Sequence, residues 1–466
     1  MLLQLFFLCL SFYFYREAPD VMDRSFMFAN LLLAGLSISN CFVKKEKIIA
    51  LKGQYMRHSL IFLVGFCVVF YQYDLDYVFH FIDAEDVQSL IWYDTSFVAP
   101  ALSLANVGLN SFLLGYLYIK INCVCNNTER IPNVSFCFRK IKIISLIAWM
   151  LLFIYIVVVN KKYLMGGYAR GINPGEFASH IFIYLQGILI GLMTIISFSN
   201  RSNLKNASVK YFIKVFLNPL LLSLCIIVLV LMSGRRTEAL RFVLLLGISY
   251  LYITRTKLKI SKLIMPFVLF SLSLSVVSVL RMNNAGSITE AISYIRETNS
   301  ISPLTQELAF NCCSLHIALS NVPSLIPYNY GLTIFLDFLL LIPGLQSFVF
   351  NYLAIPEVFQ SSAFLLTELG LGSVDDWGLG TSILADIYCS LGIGGIVVIM
   401  FIIGMLIRKL ELITFSSMGS PYMLALSFCF YSGLIFMSRG SLATPMASVT
   451  YACLCILFSI KKYKST

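Results

Sequence analysis

The chain has 466 residues, of which 59% are hydrophobic and only 12% are Asp, Glu, Lys or Arg. Soluble domains are about 45–50% apolar and about 25% charged, so no water-soluble shape could hide this much apolar surface; lipid is the expected solvent, and residues 1–466 read as one integral membrane domain. The net charge of +11 does not mark a nucleic-acid partner, because the Lys and Arg residues fall in short connectors between apolar runs.

The first run, Met1–Tyr15, lacks a basic leader and a small-residue cleavage site, and reads as a retained helix rather than a signal peptide. Such a helix covers only about 22 Å of a hydrocarbon core roughly 30 Å thick, so it must borrow from its flank or the start codon is misassigned. Apolar runs long enough to cross are centred near residues 8, 34, 67, 108, 151, 189, 224, 247, 271, 394, 429 and 452. The expected fold is therefore all-α, with about 12 transmembrane helices and both termini on one side.

Connectors on that side are Lys44–Arg57, Lys120–Lys142, Arg201–Lys214, Arg255–Lys262, Arg408–Pro421 and the tail Lys461–Thr466; they hold 23 of the 34 Lys and Arg but only three acids, Glu46, Glu129 and Glu411. The asymmetry makes this side cytoplasmic and predicts a bacterial inner-membrane protein with both ends inside. The largest outside segment, a periplasmic loop over 281–380, separates the ninth and tenth spans. Within it Gly331–Ile342 is too short to cross and is stopped by Pro343-Gly344, which suits an interfacial or re-entrant helix. Upstream, Ser302-Pro303 starts a helix with Leu304, Leu308, Cys312, Leu315 and Leu319 at helical spacing, ended by Pro323. No repeat of the kind found in many transporters is evident.

The 13 cysteines form no disulfide framework; most lie in apolar runs as small hydrophobes, and Cys312 and Cys313 read as free thiols. Cys123, Cys125 and Cys137 have no histidine nearby, the four histidines lack metal-ligand spacing, and no metal or cofactor is expected.

Outside arginines are the informative residues. Ser233-Gly234-Arg235-Arg236-Thr237-Glu238 forms a tight hairpin between the seventh and eighth spans. Arginine at a helix start opposes the macrodipole at about 0.3–1 kcal/mol each. Helix N-termini attract anions, and a guanidinium offers paired donors suited to phosphate, so a bound diphosphate would relieve the conflict. The plainer alternative has these arginines reaching lipid phosphates or pairing with Glu238. Ser438-Arg439-Gly440-Ser441, between the last two spans, repeats the arrangement. Arg281 leaves the ninth span, where a cation suits the helix C-terminus, and Arg170 lies in the glycine-rich outside loop Gly166–Gly171.

Among the acids, Asp386 is expected about two turns into the tenth span, where an ionisable side chain is a functional candidate or an ion pair between helices. Glu368, Asp375 and Asp376 precede it. Asp74, Asp76, Asp83, Glu85 and Asp86 read as a solvated acidic loop, and His316 as a surface residue or a base.

This layout resembles the Wzy-type polymerases of O-antigen and capsular polysaccharide. The residues that carry the resemblance are Met232–Arg236 leading into an apolar helix, Gly378–Gly395 and Ser438-Arg439-Gly440, with ten residues between Arg236 and Gly247. The resemblance implies a metal-independent glycosyltransferase that moves a growing chain from undecaprenyl diphosphate onto the non-reducing sugar of an incoming lipid-linked repeat unit. It also implies a flippase and a chain-length regulator as pathway partners. In such a scheme Arg236 and Arg439 take the diphosphate, Asp386 is a base or holds an arginine, and Arg235, Arg281, Arg170 and Glu368 contribute to binding. An O-antigen ligase shares the layout, and a transporter or flippase of lipid-linked sugars is the rival from another class.

Overall fold

The computed structural model describes residues 1–42, 54–83, 92–119, 134–164, 174–200, 209–254, 256, 305–342, 344–372, 378–416, 419–442, 446 and 448–461. Helices account for the regular structure there, and no β-strand occurs among the described residues. The longer helices begin with α1 (Leu2–Arg16), α2 (Arg24–Phe42), α3 (His58–Val78), α4 (Val98–Tyr118), α5 (Phe138–Val158), α6 (Glu176–Ser199), α7 (Val209–Ser233) and α8 (Arg236–Thr254). Four shorter helices follow, α9 (Cys313–Asn321), α10 (Leu332–Phe338), α11 (Leu345–Tyr352) and α12 (Ser362–Leu371), and then α13 (Ile383–Ser416), α14 (Pro421–Met437) and α15 (Val449–Ser459). Among the described residues, eight helices, α2 to α8 and α13, are long and apolar enough to cross a membrane. The chain is an all-α, polytopic membrane protein.

Eleven of the expected centres fall within α1–α8 and α13–α15; the twelfth, near residue 271, lies outside the described residues. α1, α14 and α15 have 15, 17 and 11 residues, shorter than the roughly 20 that a full crossing needs. α5 and α7 turn large apolar side chains outward, including Leu146, Met150, Phe153, Val157, Leu217, Leu221 and Val228. Water would penalise such a surface and acyl chains would not.

α4 runs through the centre. Gly115 of α4 lies against the carbonyl of Phe401, and Gly404 of α13 against the carbonyl of Phe112; a methyl group at either glycine would sit 2.0 or 2.1 Å from that oxygen. Small residues bring the two backbones together where dispersion, not water exclusion, must hold helices. The other face of α4 carries amides. Gln4 Nε2 donates to Asn110 Oδ1 at 2.7 Å, Asn110 Nδ2 to Ser11 Oγ at 2.9 Å, Tyr71 Oη to Asn106 Oδ1 at 2.8 Å and Asn106 Nδ2 to Asn30 Oδ1 at 2.9 Å. These buried pairs fix α1, α2 and α3 on α4, since an unpaired amide in hydrocarbon is costly.

The connectors sort into two ends. At one, Gln54 reaches the Thr256 carbonyl, Ser59 binds Glu411, Tyr116 binds Arg408, and the Cys137 and Lys461 amides bind the Ser459 and Ser135 carbonyls. At the other, Tyr77 binds the Met22 carbonyl, Arg24 pairs with Asp83, Thr305 binds Gln72 and the Ile383 amide binds the Ser438 carbonyl. The Lys/Arg-rich connectors that are described gather at the first end. Thr256 and Thr305, on either side of the undescribed stretch, lie at opposite ends.

Several expectations are corrected. Asp74 and Asp76 are not part of a solvated loop, because α3 continues to Val78 and both are buried. Asp83 is exposed and pairs with Arg24 at 3.0 Å, and Glu85 and Asp86 lie outside the described residues. Arg408 is not a loop cation: α13 extends to Ser416, and Arg408 lies buried 3.4 Å from Glu411. The helix expected from Ser302-Pro303 to Pro323 is seen from Gln306 to Asn321, passing through a 3-10 turn at Phe310–Cys312 before α9, while its expected start lies outside the described residues. His316 is buried within α9, its ring stacked on Trp92 with centroids 6.1 Å apart.

Candidate active site

The Arg235-Arg236 hairpin is tighter than a loop. α7 ends at Ser233 and α8 begins at Arg236, so only Gly234 and Arg235 connect them. Gly234 has φ +91°, a conformation that costs glycine nothing. The Arg235 guanidinium lies over the Phe182 ring of α6 at 5.9 Å, and Arg235 and Glu238 are within electrostatic reach of Tyr155 at the end of α5. One turn into α8, Arg241 pairs with Glu238 at 3.0 Å, and both are largely enclosed.

The second arginine does not stand at a helix start as expected: α14 ends at Met437 and α15 begins at Val449, so Arg439 follows a helix C-terminus, where a cation suits the dipole. Its segment nevertheless lies alongside the first hairpin. Arg241 sits over the Phe436 ring of α14 at 6.0 Å, and the carbonyl of that same Phe436 accepts the Arg439 N–H at 3.0 Å. Arg235, Arg236 and Arg439 are all half-buried. The two arginine hairpins, some 200 residues apart in the chain, are thus neighbours at one end of the bundle. Around them buried polar atoms lack a hydrogen-bond partner among the described residues: Glu238 Oε2, Arg241 Nε, Ser438 Oγ and Tyr163 Oη. Such groups are rare in a finished interior and mark places where a ligand or water completes the bonding.

The third fragment, around Asp386, meets the second hairpin. Asp386 is in the first turn of α13, not two turns in, because the helix begins at Ile383. Thirty-four residues would make α13 about 51 Å long, more than a bilayer core requires. Gly392, at φ +64°, breaks it, and Tyr328 packs 3.2 Å from where a β-carbon would stand there. A short leading segment therefore carries Asp386 ahead of the crossing. Its side chain is fully enclosed: Oδ1 accepts from Thr333 Oγ1 at 3.3 Å, Oδ2 from the Leu442 amide at 3.5 Å, and the Ser362 hydroxyl bonds the same carboxylate.

Asp337 joins this cluster and was not anticipated. It lies on α10, four residues after Thr333 and on the same face, bonded to the Ser441 side chain and close enough to Asp386 to feel its charge. The sequence signal was present, a lone acid in the apolar run Gly331–Ile342. Arg241 was likewise missed, although an arginine three residues after an acid in an apolar helix is the same kind of signal.

Glu368 is exposed on α12, six residues past Ser362 and so about 9 Å along the helix. Arg170 and Arg281 lie outside the described residues, as do Asp375 and Asp376. Beside the cluster, a cavity of about 60 Å³ between α6, α15 and the α10–α11 connection is lined by His180, Tyr184, Gln346, Ser347 and Tyr451. The arrangement combines guanidinium groups, buried carboxylates and an aromatic recess at one end of the bundle, which suits an anionic ligand carrying hydroxyl groups.

Compared with protein-family models, with curated proteins and with solved structures, the chain matches none.

Proposed function

We propose that this chain is a glycosyltransferase of the Wzy type, which joins undecaprenyl-diphosphate-linked repeat units into O-antigen or capsular polysaccharide at the outer face of a bacterial inner membrane. The observation that carries the reading is the pairing of the Arg235-Arg236 and Arg439 hairpins through Arg241 and Phe436, at the end opposite the Lys/Arg-rich connectors. By the positive-inside rule that end faces outward, and both termini face the cytoplasm.

The chemistry follows from the charges. The leaving group is a diphosphate already activated as an anion, so the chief tasks are to stabilise it and to place the acceptor hydroxyl. Arg236 and Arg439 hold the diphosphate, with Arg235 beside them and Arg281 and Arg170 as further contributors from the outer loops. Asp386 acts by holding the Ser438–Leu442 hairpin rather than by touching substrate, because both of its oxygens are already engaged. Partners are the lipid-linked oligosaccharide, the bilayer and, in the pathway, a flippase and a chain-length regulator.

The ligase reading uses the same donor and the same arginines. Deleting the gene separates the two: loss of a polymerase leaves lipopolysaccharide with a single repeat unit, and loss of a ligase leaves bare core. A transporter would keep its charged residues near the bilayer midplane; here the described Arg and Glu clusters stand at the two ends. Unchanged long-chain polysaccharide in the deletion strain would overturn the proposal.

A further inference from the structure

Glycosyl transfer to a hydroxyl needs a group that takes its proton, and the carboxylates near the arginine hairpins can be sorted by geometry. Glu238 is committed to Arg241 at 3.0 Å. Glu368 is exposed, about 9 Å along α12 from Ser362, the residue that bonds Asp386. Asp386 is wholly enclosed, with donors from Thr333, Ser362 and Leu442 around it. Asp337 differs. It retains 8% exposure, enough to touch a ligand at the surface of the cluster.

We propose that Asp337 is the carboxylate that accepts the proton of the acceptor sugar hydroxyl, with Asp386 behind it as a positioning residue; the inference rests on the polymerase reading above. α10 is built for this placement. Thr333 and Asp337 share one helical face, and Thr333 docks that face on α13 through Asp386 and, at 3.1 Å, through Ser390. The hairpin carrying Arg439 supplies Ser441 to the Asp337 carboxyl, so proton acceptor and diphosphate clamp are joined by a two-residue step in the chain. In the reaction, the acceptor oxygen bonds to the anomeric carbon of the donor sugar as the bond from that carbon to the diphosphate oxygen breaks. The bonding pair leaves with the lipid diphosphate, and the hydroxyl proton passes to Asp337, which returns it to water.

The surroundings adjust the carboxyl for the task. Burial, reinforced by the Asp386 charge and opposed by the Ser441 hydrogen bond, raises Asp337 to about 7. A base works best with an affinity near the working pH. The other titratable or charged groups on elements packed against it are Asp386, Tyr388 and Cys389 in the leading segment of α13, Arg408, Lys409 and Glu411 at that helix's far end, Glu357 on the short helix Glu357–Gln360 and Arg439 on the segment that carries Ser441.

The test uses the purified full-length protein in nanodiscs and the lipid-linked unit that accumulates in cells deleted for this chain. The unmodified protein should show kcat rising with pH through about 7 to a plateau, because only the ionised carboxylate accepts a proton. Asp337→Asn should lower kcat by about 10²–10³-fold, leave KM within about threefold and abolish the rise, while Asp337→Glu should restore part of the rate. A pH-independent kcat in the unmodified protein, or Asp337→Asn within threefold of its rate, would overturn the assignment while leaving the polymerase reading intact. Failure of the unmodified protein to lengthen the unit would remove both.

Discussion

The amide of Leu442 points at Asp386 Oδ2 from 3.5 Å, so the first turn of α13 is tied to the chain that immediately follows Arg439. The Ile383 amide adds a second tie, to the Ser438 carbonyl at 3.2 Å. An arginine on the connection between Met437, where α14 ends, and Val449, where α15 begins, has many rotamers and some backbone freedom, and freedom weakens a clamp. Removing the carboxylate should release the connection. Asp386→Ala is expected to speed amide hydrogen exchange across 438–442 and to abolish long-chain product, with exchange in α4 unchanged. Identical protection of that hairpin in the variant would show that Asp386 does not hold it.

The arginines themselves should be separable from bulk charge. Arg236→Ala and Arg439→Ala, expressed at normal levels, are expected to lose the long-chain ladder on a lipopolysaccharide gel. Arg236→Lys should also be impaired, because an ammonium cannot present the paired donors that a guanidinium offers a diphosphate. A full ladder from both alanine variants would leave the hairpins without the role assigned to them. Wild-type ladders from the lysine variant would reduce that role to positive charge alone.

Much of the fold was legible because lipid imposes a simple rule: an apolar run must become a helix with its backbone satisfied internally. The runs centred near 34, 67, 108, 189 and 394 became α2, α3, α4, α6 and α13 for that reason. Helix ends were less legible, because continuation depends on partners rather than composition. α3 keeps Asp74 and Asp76 inside the fold, and α13 keeps Arg408 and Glu411, once neighbouring helices bury them. The candidate site was legible where a residue broke a local rule, as Arg236 does at a helix start. The role of Asp337 depends on α10 folding back onto α13, a distant contact that no local pattern announces.

The pair at the Lys/Arg-rich end makes its own prediction. Glu411 is fully enclosed and accepts from the Ser59 amide at 2.9 Å, the Ser59 hydroxyl at 2.6 Å and the Tyr116 hydroxyl at 2.8 Å, while Arg408 donates to that same hydroxyl at 2.7 Å. These bonds clasp α3 and α4 to α13. Glu411→Ala would strand a buried cation and several donors, and should cost about 3–5 kcal/mol, read as a large fall in thermal stability in detergent. The double variant Arg408→Met, Glu411→Met should recover part of the loss, because no unpaired charge remains inside. Equal instability of single and double variants would show that the clasp matters for its shape and not its charge.

His316 should give the α9 segment a pH dependence. Its ring is buried beside Trp92 in a small cavity shared with Asp74, and Nδ1 has no hydrogen-bond partner among the described residues. Burial pushes the imidazole down to about 4, with the charge of Asp94 acting weakly in the opposite sense. Unfolded, the ring would titrate near 6.5. The folded state therefore binds the proton less readily than the unfolded one: its stability is whole above about 6.5 and declines as the pH falls from there towards 4. Between pH 7.5 and 5.5 the difference should be roughly 1 kcal/mol, seen as faster amide exchange across 310–321 after correction for the intrinsic rate. His316→Gln, which cannot take up a proton, should remove that acceleration. If the variant loosens on acidification as much as the parent protein does, the histidine does not govern the response.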